Sequence, residues 1–267
     1  MAAVSRKDKV LRPVHANAGT AAAYRRKLQK LVDEMNDSVV FWLKSSYRNN
    51  EPIIAQDDVL PSTALRAAVK RLADRWQRKF NEAAPALADW FATDVTARSD
   101  SALRSILRQA GISVRFKMTP AARDIMQATI NQQVSLIKSI PSRYFTQIEG
   151  IVMRSVQNGR DLGQLTTDLQ DQFGITKRRA AFIARDQNNK ATASMNRARQ
   201  DEIGVTEAIW VHSGGGKHPR PTHLKAGREK TRYDIKEGWL DPALGRHIFP
   251  GEEPNCRCVS KSIIPGF

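Results

Sequence analysis

The chain has 267 residues, of which 41% are hydrophobic and 26% charged, as is typical of a globular protein with one large domain or two modest ones. It has no apolar run of roughly eighteen residues, and its N-terminus lacks the apolar core of a secretory signal, so we expect neither a membrane span nor a leader. Two cysteines exclude a disulfide scaffold and favour a reducing cytoplasm.

The strongest compositional signal is the excess of 43 Lys+Arg over 27 Asp+Glu, a formal net charge of +16. There are 26 basic and 17 acidic residues before Lys177, and 17 and 10 from there on, so the excess is not confined to a tail. A diffuse positive field attracts polyanions, nucleic acid above all, and an acidic protein partner is the alternative. Because no complete DNA-reading motif is present, we expect non-specific contact with DNA.

The first half of the chain predicts three helices. Apolar residues at three- and four-residue spacing predict a helix from Thr20 to about Tyr47, which the breakers in "SYRNNEP" end. A second helix begins at "PSTALRAAV". A third is expected to open at Pro85 and to stop at Gly111, a common position for glycine after a helix.

The middle of the chain alternates and then becomes helical again. Residues 112–118 alternate apolar and polar side chains, which predicts a short strand or an extended linker. Thr119 and Pro120 form a strong helix start, and Pro141 is expected to break that helix. Further helices are expected over residues 144–156, residues 162–174 and residues 176–204.

The character of the sequence changes after Gly204, where a strand in "EAIWVHS" precedes Gly- and Pro-rich loops. We therefore predict a mainly α fold, a long helical body followed by a small, loop-rich α+β C-terminal module. The predicted parts are residues 1–118, residues 119–204 and residues 205–267. The last part has little core of its own, so it needs a staple or must pack against the last helix.

Three of the five histidines and both cysteines lie in "KHPRPTH" and "RHIFPGEEPNCRC". Zinc is bound by such side chains, and the best four-ligand set is His223, His247, Cys256 and Cys258, with His218 able to replace either histidine. Two alternatives stay open. The cysteines can be reduced and packed as small apolar side chains, or they can form a strained disulfide with each other.

The order "AAFIARDQNNKATASMNRAR", "GVTEAIWVHS", "RPTHLKAG" and "FPGEEPNCRC" resembles the phage Mu F-type head morphogenesis family, the minor capsid proteins of tailed phages. The resemblance extends from about Thr119 to Ile264. The signature residues of the terminal module are Trp210, Arg220, Gly227, Asn255 and Arg257, beside His223, Cys256 and Cys258. Other matching positions are Ala184, Arg185, Asn188, Asn196, Pro250 and Pro254.

This sequence departs from the family pattern at two places. The acidic and threonine positions after the helix arginine are Asp186, Gln187 and Asn188, and the loop before "RPTH" carries no acid. Some relatives continue into a toxin or enzyme domain, whereas this chain ends nine residues after Cys258, so we expect no such domain.

The resemblance implies a minor head protein that acts at or near the portal in capsid assembly, DNA packaging or ejection, and not an enzyme. Its implied partners are the portal protein, other capsid proteins and packaged double-stranded DNA, with several copies per virion and no membrane. Its implied location is the capsid interior or the portal vertex, with the host cytoplasm during assembly. Candidate phosphate contacts lie on the last long helix, at Lys177, Arg178, Arg179, Arg197 and Arg199.

The sequence leaves two other functions open. A phage-encoded nuclease would use His218, His223, Arg220 and Lys225 of the terminal module on a phosphodiester. The loop near these residues lacks carboxylates for Mg²⁺, which counts against that chemistry. A sequence-specific DNA-binding regulator is the third function, although no convincing helix-turn-helix is found.

Overall fold

The computed structural model of the protein describes residues 8–49, 61–159, 161–216 and 218–265. Those residues form five helices and six strands, and the predicted mainly α fold with a small α+β C-terminal part is confirmed. The helices are α1 Ala18–Asn49, α2 Pro61–Gln109, α3 Pro120–Gln157, α4 Leu162–Glu202 and α5 Pro221–Arg228. The strands are β1 Lys9–Val10, β2 Glu207–Val211, β3 Arg232–Asp234, β4 Trp239–Asp241, β5 Arg246–Ile248 and β6 Val259–Ile264.

Several helix ends follow the local signals in the sequence. The Thr119 hydroxyl accepts a hydrogen bond from the backbone N–H of Ala122 (3.2 Å), as expected for an N-cap of α3. The Asp161 carboxylate accepts two such bonds at the start of α4, from the N–H groups of Gly163 (2.7 Å) and Gln164 (3.0 Å). Gly204, which follows α4, has a φ of 76°, a left-handed conformation that glycine adopts without a steric penalty.

The prolines predicted to divide helices do not divide them. Pro85 lies inside α2 and Pro141 lies inside α3, so the predicted break at each position was wrong. Each proline costs about 3 kcal/mol in a helix interior because it removes a hydrogen bond and crowds the preceding turn. The buried face continues past it, through Ala84 and Ala88 around Pro85 and through Tyr144 after Pro141. Burial on both sides of the proline offsets the local cost.

The predicted boundary at Gly174 was also wrong, because α4 runs through it without interruption. Thr176, expected as the cap of a new helix, instead donates its hydroxyl hydrogen bond to the Gln172 carbonyl inside α4 (2.9 Å). Residues 112–118 form no strand and connect α2 to α3 as an extended linker, one of the two predicted forms.

The C-terminal strands form an antiparallel sheet with the order β1–β6–β2–β3, and β4 pairs with β5 in a separate ribbon. In the central strand β2, Ala208 and Trp210 are fully buried while Glu207 is exposed, which is the period of two expected for a half-buried strand. At the edge, β1 adds N-terminal residues to the sheet, with Lys9 opposite Ile264.

The chain divides into two compact units, each built from separate segments. One comprises the described residues up to Ala21, Trp90–Ile130 and the described residues from Arg185 onward, and it contains the sheet. The other comprises Ala22–Asp89 and Asn131–Ala184 and is helical. The three-part division drawn from the sequence stays a prediction. None of the helices in the described ranges is long and apolar enough to cross a bilayer.

Candidate metal centre

Three of the four predicted zinc ligands lie together in the interior of the C-terminal sheet region. His223 is the third residue of α5, and Cys256 and Cys258 lie immediately before β6. The His223 Nδ1 atom is 3.6 Å from the Cys256 Sγ atom and 3.8 Å from the Cys258 Sγ atom. All three potential donor atoms lie within 4.8 Å of one another, and the side chains are buried. Both cysteines are free thiols.

The other side of the His223 ring faces Asp241, at the end of β4. The distance from His223 Nε2 to Asp241 Oδ2 is 3.4 Å, and the Asp241 side chain is 1% exposed. Asp241 is held in place by hydrogen bonds from the Thr222 hydroxyl (3.2 Å) and from the backbone N–H of Ala243 (2.9 Å). A carboxylate at Nε2 favours the tautomer with its proton there, which leaves the Nδ1 lone pair directed at the two sulfurs.

Aromatic side chains separate this cluster from water. The Trp210 ring contacts the His223 ring edge to face, with centroids 5.0 Å apart, and Trp239 lies 5.0 Å from Trp210. Trp210 is fully buried, and His223 is 2% exposed. Cys256 and Cys258 belong to the same apolar core, so this core surrounds the three potential ligands.

The pKa values of the two thiols are shifted in opposite directions. A hydrogen bond from Cys258 lowers the pKa of the Cys256 thiol well below its ordinary value, against the effect of burial. The Cys256 thiolate in turn raises the pKa of Cys258, as does burial. Within the pair, Cys256 is therefore the thiol that loses its proton more readily.

The "NCRC" segment is positioned by the long helix α4. Asn255 has a φ of 59°, a left-handed conformation that asparagine tolerates better than most residues. Its backbone N–H donates to the Asp186 carboxylate (2.5 Å), and its side-chain oxygen accepts a hydrogen bond from Arg185 (3.1 Å). Beyond this turn the chain is extended, so Cys256 and Cys258 point inward while Arg257 is exposed.

Two more signature residues hold α5 against this segment. Arg220, at the N-cap position of α5, donates a hydrogen bond to the Pro254 carbonyl (3.0 Å). Gly227 lies against the end of β2, where an added Cβ would be 2.5 Å from the Cβ of His212. The close approach of α5 therefore requires a residue without a side chain at position 227. In these places the sequence signature corresponds to packing contacts.

The fourth predicted ligand does not join the cluster. His247, on β5, is exposed, and its Nδ1 atom lies 3.2 Å from the Glu237 carbonyl oxygen. His218 is exposed as well. Sequence reasoning missed Asp241 and Thr222, because it sought an acid before "RPTH" whereas Asp241 follows that motif by eighteen residues.

Four of the five predicted phosphate contacts have other roles within the fold. Lys177 pairs with Asp33 (3.0 Å), and Arg179 donates to the Ser139 hydroxyl (3.0 Å). Arg197 is stacked on the Phe249 ring at 3.7 Å, and burial lowers its pKa. Arg199 is 1% exposed, which corrects its assignment as a phosphate contact because DNA cannot reach it. Arg178 is exposed.

Arg199 instead joins three parts of its unit. Its guanidinium donates to both carboxylate oxygens of Asp100 in α2 (2.9 and 2.8 Å) and to Glu202 (2.7 Å). It also donates to the Lys117 carbonyl in the linker (2.6 Å). A planar, always charged donor fork is suited to this buried site.

The family described as phage Mu protein F like protein matches residues 146–261. This segment is Mu F-like. It contains the end of α3, all of α4, the strand β2 and the complete His223–Cys256–Cys258 cluster. The resemblance seen in the sequence is confirmed over this range.

A protein of Haemophilus influenzae (strain ATCC 51907 / DSM 11121 / KW20 / Rd), itself described as uncharacterized, is 26% identical over 258 residues. The alignment covers 95% of this chain and 55% of that protein, so the chain spans about half the length of this relative. No solved structure matches the chain.

Proposed function

We propose that the protein is a minor head protein of a tailed bacteriophage, acting at or near the portal in capsid assembly, DNA packaging or ejection. The observation that carries the proposal is the Mu F-like match over residues 146–261. The convergence of Arg220, Gly227 and Asn255 on one buried module supports it, because the residues typical of the family make the contacts that assemble the module. The proposed locations are the virion and, during assembly, the host cytoplasm.

Non-specific contact with packaged double-stranded DNA is part of this proposal. A formal net charge of +16 attracts phosphate at any sequence. Since Arg199 is buried, the contacts would come from exposed cations such as Arg178 on α4 and Arg71, Arg75 and Arg78 on α2. Such contacts hold a protein near DNA without reading bases.

A nuclease remains the second candidate, but the burial of His223 counts against it. A general base for phosphodiester hydrolysis has to reach its substrate, and His223 lies between two thiols and Asp241 with 2% of its surface exposed. The neighbouring Lys225 is exposed, and its Nζ atom lies 3.9 Å from the Oε1 atom of Glu229, as an ion pair on the surface at the end of α5. We therefore propose a non-enzymatic role for the module.

The portal assignment is tested by producing the protein together with the portal protein encoded by the same phage or prophage. We expect the two to elute together in size-exclusion chromatography. An unrelated protein with a net charge similar to that of the portal protein is the control partner. Separate elution at concentrations up to tens of micromolar, with both proteins folded, would exclude stable binding to the portal.

The DNA component is tested by measuring affinity for two unrelated duplexes across a salt series. We expect equal affinities for the two sequences. The logarithm of the binding constant should fall linearly with the logarithm of the salt concentration, with a slope of about −0.9 for each phosphate contacted. A sequence preference that persists at high salt would instead favour the DNA-binding regulator.

A further inference from the structure

We propose that Cys256 Sγ, Cys258 Sγ and His223 Nδ1 bind one thiophilic divalent cation, zinc, at the centre of the C-terminal module. The inference is independent of the role in the phage head, since it rests only on the geometry and burial of this cluster. It replaces the four-ligand set predicted from the sequence with a set of three, from which His247 is absent.

The distances within the cluster match those expected around zinc. Typical bond lengths are about 2.3 Å for Zn–S and about 2.0–2.1 Å for Zn–N, and a tetrahedral angle between them places N and S about 3.6 Å apart. The measured Nδ1–Sγ distances are 3.6 Å and 3.8 Å. Both distances therefore fit a cation that is bound by His223 and by the two cysteines.

The residues behind the donor atoms also suit a metal. Zinc-binding histidines usually donate their second N–H to a carboxylate, which fixes the ring and raises its basicity. Asp241 occupies that position behind His223 (3.4 Å) and is itself held by Thr222 and by the Ala243 backbone. The Nε2 atom of His223 is buried and makes no hydrogen bond among the described residues, and Asp241, 3.4 Å away, is the carboxylate that could accept one from it.

Two other uses of these residues fit less well. The arrangement Cys256–His223–Asp241 has the order of a nucleophilic triad, but a nucleophile must meet its substrate, and these side chains are at most 4% exposed. A triad also has no need of Cys258, whose sulfur is almost as close to the imidazole as that of Cys256. Two thiols converging on one nitrogen are explained by a shared cation.

Zinc binding would join His223 on α5 to Cys256 before β6, which are 33 positions apart in the chain. The chain between these elements forms only strands of three residues, so a bound metal would add a cross-link that stabilises this small module. Among the described residues no fourth histidine, cysteine or carboxylate joins the cluster. The remaining position is left for water or another small ligand.

The test uses the full chain, purified without a histidine tag and without chelator, and measures its zinc content by elemental analysis. We expect about one zinc per chain in the natural sequence and less than about a tenth in Cys256→Ser, Cys258→Ser and His223→Ala. The matched controls His247→Ala and His218→Ala, on exposed histidines of the same module, should keep the full content. Loss of zinc in His247→Ala with retention in His223→Ala would overturn the ligand set.

A second measurement uses the unmodified protein, so that its result does not depend on whether the variants fold. The unmodified protein is stripped with a chelator and titrated with Co²⁺ in the absence of oxygen. We expect tetrahedral visible bands and a thiolate-to-cobalt charge-transfer band that saturate together at one equivalent. Restoring zinc should raise Tm by roughly 5–10 °C. A folded protein that contains no zinc as purified and takes up no cobalt would overturn the proposal.

Discussion

Residues of the same type have different roles in this chain, depending on whether their side chains are buried. Five basic residues on the last long helix look equivalent in the sequence, yet Arg178 is exposed and Arg199 is 1% exposed. Arg199 carries bonds to Asp100, to Glu202 and to the Lys117 carbonyl, which makes it a structural residue of its unit.

Arg199→Ala should lower the free energy of unfolding by about 3–5 kcal/mol, because it leaves the Asp100 carboxylate and the Lys117 carbonyl without their shared partner. Arg178→Ala, on the same helix, should change it by no more than about 0.5 kcal/mol. Urea denaturation followed by circular dichroism measures both. Equal effects of the two substitutions would show that Arg199 does not stabilise the fold.

Gly227→Ala should destabilise the protein by about 1–3 kcal/mol, since the new Cβ would lie 2.5 Å from the Cβ of His212 and α5 would have to shift. Gly215→Ala is the control, because its Cβ would have only an ordinary contact with the flexible Arg257 side chain, at 3.6 Å. Thermal unfolding of both variants checks the difference. An unchanged Tm for Gly227→Ala would mean that α5 does not pack this closely.

At the scale of elements, one contact within the Mu F-like segment joins α4 to the turn at Asn255, just before the cysteines. Asp186 is 3% exposed and accepts the backbone N–H of Asn255, while Lys190 lies 3.0 Å from its other oxygen. The "IARDQNN" part of the helix signature and the "NCRC" part of the loop signature are therefore two sides of one contact.

Asp186→Ala should cost about 1–3 kcal/mol, because the Asn255 N–H loses its acceptor in a partly buried site. It should also speed amide exchange at residues 255–258 more than elsewhere. Asp171→Ala, on an exposed position of the same helix, serves as the control. If Asp186→Ala increased the exchange rate in the turn no more than it did in α1, this contact would not be supported.

The elements differ in how far the sequence predicts them. Helix ends that have a local cause follow from the sequence, because one side chain or one φ angle determines them. Examples are the start of α3 after Thr119 and the end of α4 before Gly204. The continuity of α2 through Pro85 depends on apolar contacts along the whole helix, which local rules do not include. For the site, the sequence supplied His223 and both cysteines but not Asp241, which the fold brings back to His223 from β4.

For the whole molecule, the sequence predicted the helical body and the small terminal module, but not that N-terminal residues complete the module's sheet. The strand β1 has two residues, too few for any periodic signal, and its pairing with β6 joins opposite ends of the chain. The net charge of +16 is also a property of the whole chain, and the proposed non-specific contact with DNA rests on that charge and not on any one arginine.

The central proposal, that this protein with its Mu F-like segment is a component of the phage head, is tested most directly by quantitative mass spectrometry of gradient-purified heads from the phage or prophage that encodes it. We expect several copies per particle, in DNA-filled heads and in empty ones, and heads that assemble or package poorly when the gene is deleted. Heads that lack the protein, together with normal yield and DNA content after deletion, would contradict the account.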